Sequence, residues 1–291
     1  MSDYVIKNYH PDYIELQAEV GKEIVKDWKH LTQTPVEQLK QLYSQSEFDP
    51  STRLYSFKGD LLVGFLTAKT MKLEEEEIGF LRFPFVLEEH KQAEDLLMEK
   101  LMEVFKTKGI KRIQGVAGNI WGDSLEIAKR WDFKEVVDRA IAYTLDIDSY
   151  ELIEDEINVV FFDFEKDIEQ IVKIYSQVYN SSPERTKEFY ENLTNSDQLL
   201  FLPVIKEEGK IVAISKVFKD TAPELIIQGH SFVKDSKYYR SLQNKIIEEC
   251  KTEGIKTIQM FFREPLFQYI SEYEKIGFKF ESKTILLEKN I

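Results

Sequence analysis

The sequence predicts two consecutive domains of one α/β (α+β) kind, each a twisted, mixed and largely antiparallel sheet flanked by helices. Part of the chain is written twice. Residues 97–114, LMEKLMEVFKTKGIKRIQ, return as 242–259, LQNKIIEECKTEGIKTIQ, at an offset of 145 residues with ten identities in eighteen positions. The same offset pairs Phe133-Lys134 with Phe278-Lys279. A period near half the chain exceeds the roughly 20–50 residues of a solenoid unit and marks a duplicated domain. Length agrees, because 291 residues at roughly 100–200 per domain make two the natural count. The expected domains are 1–150 and 151–291, with the join near 148–157.

Hydrophobic periodicity then sets the elements. Tyr4 to Lys7 predicts a strand before a His-Pro turn. Apolar residues at Ile14, Leu16, Val20, Ile24 and Val25 predict a helix, and Val36 to Tyr43 a second. Arg53–Lys58 and Leu61–Met71 flank Gly59-Asp60 and predict a hairpin. Ile78 to Val86 is a further strand. A long amphipathic helix over about Ala93–Lys108 ends at Gly109. Ile110–Val116 is a strand, Ser124–Trp131 a helix, and Phe133–Ile147 a closing pair of strands. The second half repeats the order. Val159–Phe164 is a strand, followed by helices over Ile168–Tyr179 and Arg185–Leu193. Leu200–Ile205 and Lys210–Val217 form a hairpin, and Leu225–Val233 is a strand. Ser241–Lys251 is the long helix and Ile255–Phe262 the strand after it. A helix over Tyr269–Lys275 and strands from Phe278 complete the chain.

Composition excludes several classes. No apolar run approaches the ~20 residues needed to span a bilayer, and the opening MSDYVIKNYHPDY lacks a signal-peptide pattern. A soluble, cytoplasmic protein without membrane association is expected. The net charge of −13 argues against nucleic acid as a partner, because such binding neutralises phosphates with Lys and Arg. Asp146 to Glu156, with six acids and no base, reads as the linker or a domain edge. The lone Cys250 excludes an internal disulfide and suits buried packing. His10, His30, His90 and His230 show no metal-ligand spacing, so no metal is expected. Neither a Walker loop nor a Ser-His-Asp signature is present.

Three pieces carry a family likeness: the hairpin Gly59–Phe65, echoed by Gly209–Ile214; the strand-loop-helix segments starting at Val86 and Val233; and YEKIGFKFE, Tyr273–Glu281, echoed weakly by AKRWDFKEV, Ala128–Val136. In this order they resemble the GCN5-related N-acetyltransferase superfamily, as a tandem covering nearly the whole chain. The resemblance implies an acyl-CoA-dependent N-acyltransferase that moves an acetyl group from acetyl-CoA to a small-molecule amine. It implies a splayed strand along whose edge pantetheine pairs, and a loop and helix N-terminus that meet the pyrophosphate. The chain departs from the family at that loop. Neither Glu88–Asp95 nor Asp235–Leu242 contains a glycine, and the second is about three residues short. Glu88, Glu89, Glu94 and Asp95 oppose phosphate in the first copy, whereas Lys234, Lys237 and Arg240 favour it in the second.

The second domain is therefore the expected catalytic one. Tyr273 stands where the family places an acid for the leaving thiolate; its first-copy equivalent, Ala128, has no proton to give. Base candidates are Gln228 or His230 in the second copy, with Glu77 or Arg82 their counterparts in the first. Phe232, Val233, Lys237, Tyr239, Arg240 and Ser241 are the expected coenzyme A contacts. The rival reading is a pair of degenerate domains acting as a ligand-binding or regulatory module. Aminoacyl transfer from tRNA is disfavoured by the acidic charge. The acceptor and the oligomeric state are not encoded in any motif.

Overall fold

In a computed structural model, residues 3–29, 31–153, 156–220 and 222–291 are described. His30 and the Glu154-Asp155 part of the acidic stretch lie outside them. The chain divides into two compact units, residues 1–139 with 282–291, and residues 140–281.

The first unit contains β1 (Tyr4–Asn8), α1 (Tyr13–Val25), α2 (Val36–Tyr43), β2 (Arg53–Lys58), β3 (Leu61–Leu73) and β4 (Glu76–Val86). It continues through α3 (Gln92–Thr107), β5 (Arg112–Gly118), α4 (Ser124–Arg130) and the start of β6 (Lys134–Asp146). Strands β1 to β4 are antiparallel neighbours in sequence order. β4 then runs parallel to β5 from Gly79 to Arg82 only, so its last residues splay away. Alternation along the strands separates two faces. Leu54, Leu66 and Leu81 pack under Leu97, Met98, Leu101 and Phe105 of α3. Tyr55, Phe57, Phe65 and Phe85 face Val25 of α1.

The second unit contains the rest of β6, β7 (Val159–Phe161), α5 (Phe164–Tyr179), α6 (Pro183–Thr194), β8 (Leu199–Phe201), β9 (Pro203–Glu207), β10 (Lys210–Ile214) and β11 (Val217–Lys219). Then follow β12 (Leu225–Gln228), β13 (Phe232–Val233), α7 (Lys237–Thr252), β14 (Thr257–Phe262), α8 (Ile270–Lys275) and the start of β15 (Lys279–Asn290), whose residues from Ser282 onward belong to the first unit. β12 pairs parallel with β14 and antiparallel with β11. β13, β10, β9 and β7 form a separate four-stranded sheet, with β13 at its edge. Cys250 is buried against Ile246, Ile258 and Tyr273, and burial pushes its thiol up to about 12. At the turn before β15, Gly277 has φ +106°, a conformation that L side chains avoid. That explains the glycine in YEKIGF.

The repeat maps as expected, with α3-β5 and α7-β14 as its two copies. The division does not fall at 148–157. Residues 141–146 pair with β14, completing the sheet of the second unit. Residues 284–290 pair with β5, completing the sheet of the first. Each unit thus takes its last strand from the end of the other half of the sequence. The acidic stretch follows this exchange instead of marking it. Each expected closing pair of strands is one unbroken strand, with no glycine or proline to interrupt 134–146 or 279–290. Conversely, the strand expected over Leu225–Val233 is broken into β12 and β13 by Gly229-His230-Ser231.

Candidate functional site

The break between β12 and β13 is the feature around which the candidate residues gather. Gly229 still donates its N–H to the Lys216 carbonyl at 2.8 Å. Two residues later the ladder is lost, and Ser231 donates its N–H to the Tyr273 hydroxyl at 3.1 Å. A side chain of α8 thus replaces a neighbouring strand as acceptor. Tyr273 is only 1% exposed, ringed by Tyr239, Phe262 and Phe278 at 5.2–5.6 Å between centroids. Burial holds its hydroxyl proton up to about 12, with the Ser231 contact pulling the other way. Because the oxygen accepts from Ser231, its own proton remains free to be donated.

His230 packs on Tyr269 at 4.5 Å and turns an edge toward Tyr273 at 6.4 Å. Its Nδ1 is buried without a hydrogen-bond partner among the described residues. Burial, then the Lys216 charge, lowers its pKa to about 4. At neutral pH it is an uncharged imidazole beside a hydroxyl that keeps its proton. The two environments thus push the proton affinities of neighbouring groups in opposite directions. Gln228, the other base candidate, lies buried with its Oε1 unpartnered and its Nε2 donating to Ser215 at 3.4 Å.

The low His230 value has a stability consequence. An unfolded histidine titrates near ~6.5, so between about pH 6.5 and 4 the unfolded chain binds more protons than the folded one. The second unit is therefore expected to lose stability as pH falls through that window. His230→Gln should flatten this part of the curve by ~1–3 kcal/mol, read from urea midpoints at pH values inside and above it. An unchanged slope would mean that the ring titrates as if in water.

The expected coenzyme A contacts are brought together only in part. Phe232 and Val233 form β13, paired on one side with β10 and open along the other edge of that sheet. Tyr239 and Ser241 are buried on the inner face of α7, and the Ser241 Oγ is unpartnered. Lys237 and Arg240 diverge. The Lys237 Nζ lies 3.5 Å from the Glu207 carboxylate and over the Tyr238 ring at 4.7 Å. Arg240 donates to the Lys275 carbonyl at 3.5 Å. Asp235 accepts from the Lys237 N–H at 3.1 Å, closing the first turn of α7 upon itself.

Sequence reasoning missed Ser231, Lys216 and Tyr175. Lys216 donates to the Tyr175 hydroxyl at 2.7 Å, which places a cation near His230. Ser215-Lys216 interrupting the apolar run IVAISKVF was the available signal.

In the first unit the equivalent turn is filled by its own ion pairs. Lys91 bridges Asp123 at 2.7 Å and Glu88 at 2.8 Å. Glu94 is buried against Arg130 at 2.9 Å, and burial raises its pKa. Asp95 accepts from Arg130 at 3.0 Å and from the Trp131 indole at 2.8 Å. Ala128 is buried at the position equivalent to Tyr273. Among the described residues, no cluster of His, Cys, Asp and Glu is placed to hold a metal ion, and no helix is long and apolar enough to cross a membrane.

No family model matches the chain, and no curated protein sequence does. Solved structures do. A GCN5-related N-acetyltransferase from Sphaerobacter thermophilus aligns with TM-score 0.60 at 12% identity, over 100% of this chain and 96% of its own. A tandem protein of the same superfamily from the clavulanic acid biosynthesis pathway aligns with TM-score 0.61 at 10% identity, over 99% and 98%. An acetyltransferase of that family from Colwellia psychrerythraea aligns with TM-score 0.61 at 12% identity, over 98% and 99%. Whole-length agreement with a tandem protein identifies the architecture: the chain has the fold of the GCN5-related N-acetyltransferases, twice over.

Proposed function

We propose that the protein is an acyl-CoA-dependent N-acyltransferase, with acetyl-CoA as donor and a small-molecule amine as acceptor, and that the second unit carries the reaction. The observation that carries this reading is the break at Gly229–Ser231, where the Tyr273 hydroxyl, the unpartnered His230 Nδ1 and the open edge of β13 converge. The residues present suit the donor. An extended pantetheine arm pairs with a free strand edge, which β13 offers. Lys234, Lys237 and Arg240 outnumber Asp235 and Glu207 around the first turn of α7, the end of a helix that favours phosphate charge. Acyl-CoA, when bound, supplies the activated acyl group and a thiolate as leaving group. Tyr273 is the proton source for that thiolate, and neutral His230 the acceptor for the amine proton. Burial of the Tyr273 side chain and of the His230 Nδ1 limits the access of water to these transfers.

The first unit has a different reading. Its turn presents buried and paired acids where phosphate would sit, and Ala128 replaces the tyrosine. A non-catalytic role for this unit, structural or ligand-binding, follows from those contacts.

Titration of the full chain with acetyl-CoA tests the assignment. Saturable binding is expected, with a rise in the melting temperature of the second unit. Arg240→Glu is expected to weaken it about tenfold or more, the scale of one charge-assisted contact. Binding that survives this change but is lost on reversing Lys91 would transfer the donor site to the first unit.

A further inference from the structure

Arg53 on β2, Thr67 on β3 and Arg82 on β4 form one cross-strand row, since Arg53 pairs with Thr67 and Thr67 with Arg82. Their chain neighbours Leu54, Leu66 and Leu81 pack against α3, so the row faces the side covered by α1 and α2. Strands two apart are separated by roughly 10 Å, a gap that two arginine side chains span. Both line a cavity of about 440 Å³ in the first unit.

Among the described residues, neither guanidinium has a carboxylate partner or a hydrogen bond, and the Nε of Arg53 is buried. Arg53 is nevertheless held in place. Its guanidinium lies over the rings of Tyr43 at 5.0 Å and Phe48 at 5.8 Å, which stack on each other at 4.7 Å. The Tyr43 hydroxyl in turn donates to the buried Gln17 at 2.9 Å. Two acids line the same cavity: Asp49 is bridged to Lys108 at 2.7 Å, and Glu47 accepts from the Ser46 hydroxyl at 2.8 Å and keeps its charge. Partial burial and the Arg53 charge both lower the proton affinity of Arg82. One guanidinium held in place and a second, exposed one beside it, neither bonded to a carboxylate, match the planar, bidentate geometry of a carboxylate or phosphate in a protein of net charge −13. The remaining walls include Leu39, Phe65 and Phe85.

We propose that this cavity binds a small organic anion, a carboxylate or phosphate monoester attached to an apolar body, with Arg53 and Arg82 on the charge and the aromatic wall on the body. None of its residues belongs to the acyl-transfer site, so the two readings stand or fall separately.

The test is calorimetric titration of the full chain with benzoate, phenyl phosphate and inorganic phosphate. Saturable binding of benzoate or phenyl phosphate is expected, the tighter of the two naming the charged group. Inorganic phosphate is expected to bind about tenfold more weakly, lacking the body. Arg82→Gln should weaken binding by about tenfold or more and raise the melting temperature without ligand, because it removes a like charge. Arg263→Gln, an exposed arginine of the second unit, makes the same change in net charge and should do neither. Absence of saturable binding by any of the three probes up to about 10 mM overturns the proposal. So does an Arg82→Gln protein that binds as before, or an equal loss in Arg263→Gln. Equal affinity for inorganic phosphate and phenyl phosphate overturns the apolar body.

Discussion

Deleting residues 282–291 is expected to unfold the first unit while the second keeps its own melting transition. The segment pairs with β5 from Thr284 opposite Gly118 to Asn290 opposite Arg112. Ile285 and Leu287 are buried in the α3 core. The Asn119 side chain also accepts from the Lys283 N–H at 2.9 Å. Each large apolar side chain removed from a core costs about 2–5 kcal/mol. Two of them, with a strand's worth of hydrogen bonds, consume most of the ~5–15 kcal/mol by which a domain is stable. Hydrogen exchange at the α3 and β5 amides reads the result. Protection within a factor of a few of the full-length protein would show that the terminal strand is dispensable. The same reasoning applies to a chain cut between residues 150 and 151: neither half would carry its own closing strand.

Tyr273→Phe is expected to produce two separable losses. Without the hydroxyl, the Ser231 N–H has no acceptor in a buried setting, which costs about 1–3 kcal/mol. Removing the proton source for the leaving group is expected to slow turnover by roughly 10²–10⁴-fold, with the affinity for acetyl-CoA nearly unchanged. A protein that melts earlier but turns over at the original rate would reduce Tyr273 to a core residue.

Much of the fold was legible because it is local. The 3.6-residue periodicity of Leu97–Phe105 and Leu242–Cys250, with a glycine after each helix, marks α3 and α7 without any tertiary information. The strand exchange was not legible. Residues 140–146 and 282–290 are both alternating apolar strands following a copy of the same helix. Either suits either sheet by pattern, and the choice of neighbour is made by contacts far apart in sequence. The same limit governed the site. The order of elements was enough to place Tyr273 on the helix before the closing strand and Phe232 and Val233 on the strand before α7. The directions of Lys237 and Arg240 were not, being set by Glu207 and the Lys275 carbonyl. His230 was readable as a candidate, but its low pKa comes from burial and from Lys216, fourteen residues earlier in the break between β10 and β11.

The exchanged strands also set an order in time. During synthesis residues 1–139 emerge without the strand that closes their sheet, and the ~140 residues of the second unit must follow before it. At ribosomal rates of about 5–20 residues per second, β5 would wait as an unpaired edge for roughly 7–30 s. An open edge of that duration invites pairing with another chain. The nascent protein is thus most exposed to aggregation before residues 282–291 arrive, and a folding helper that shields β5 would act in that interval.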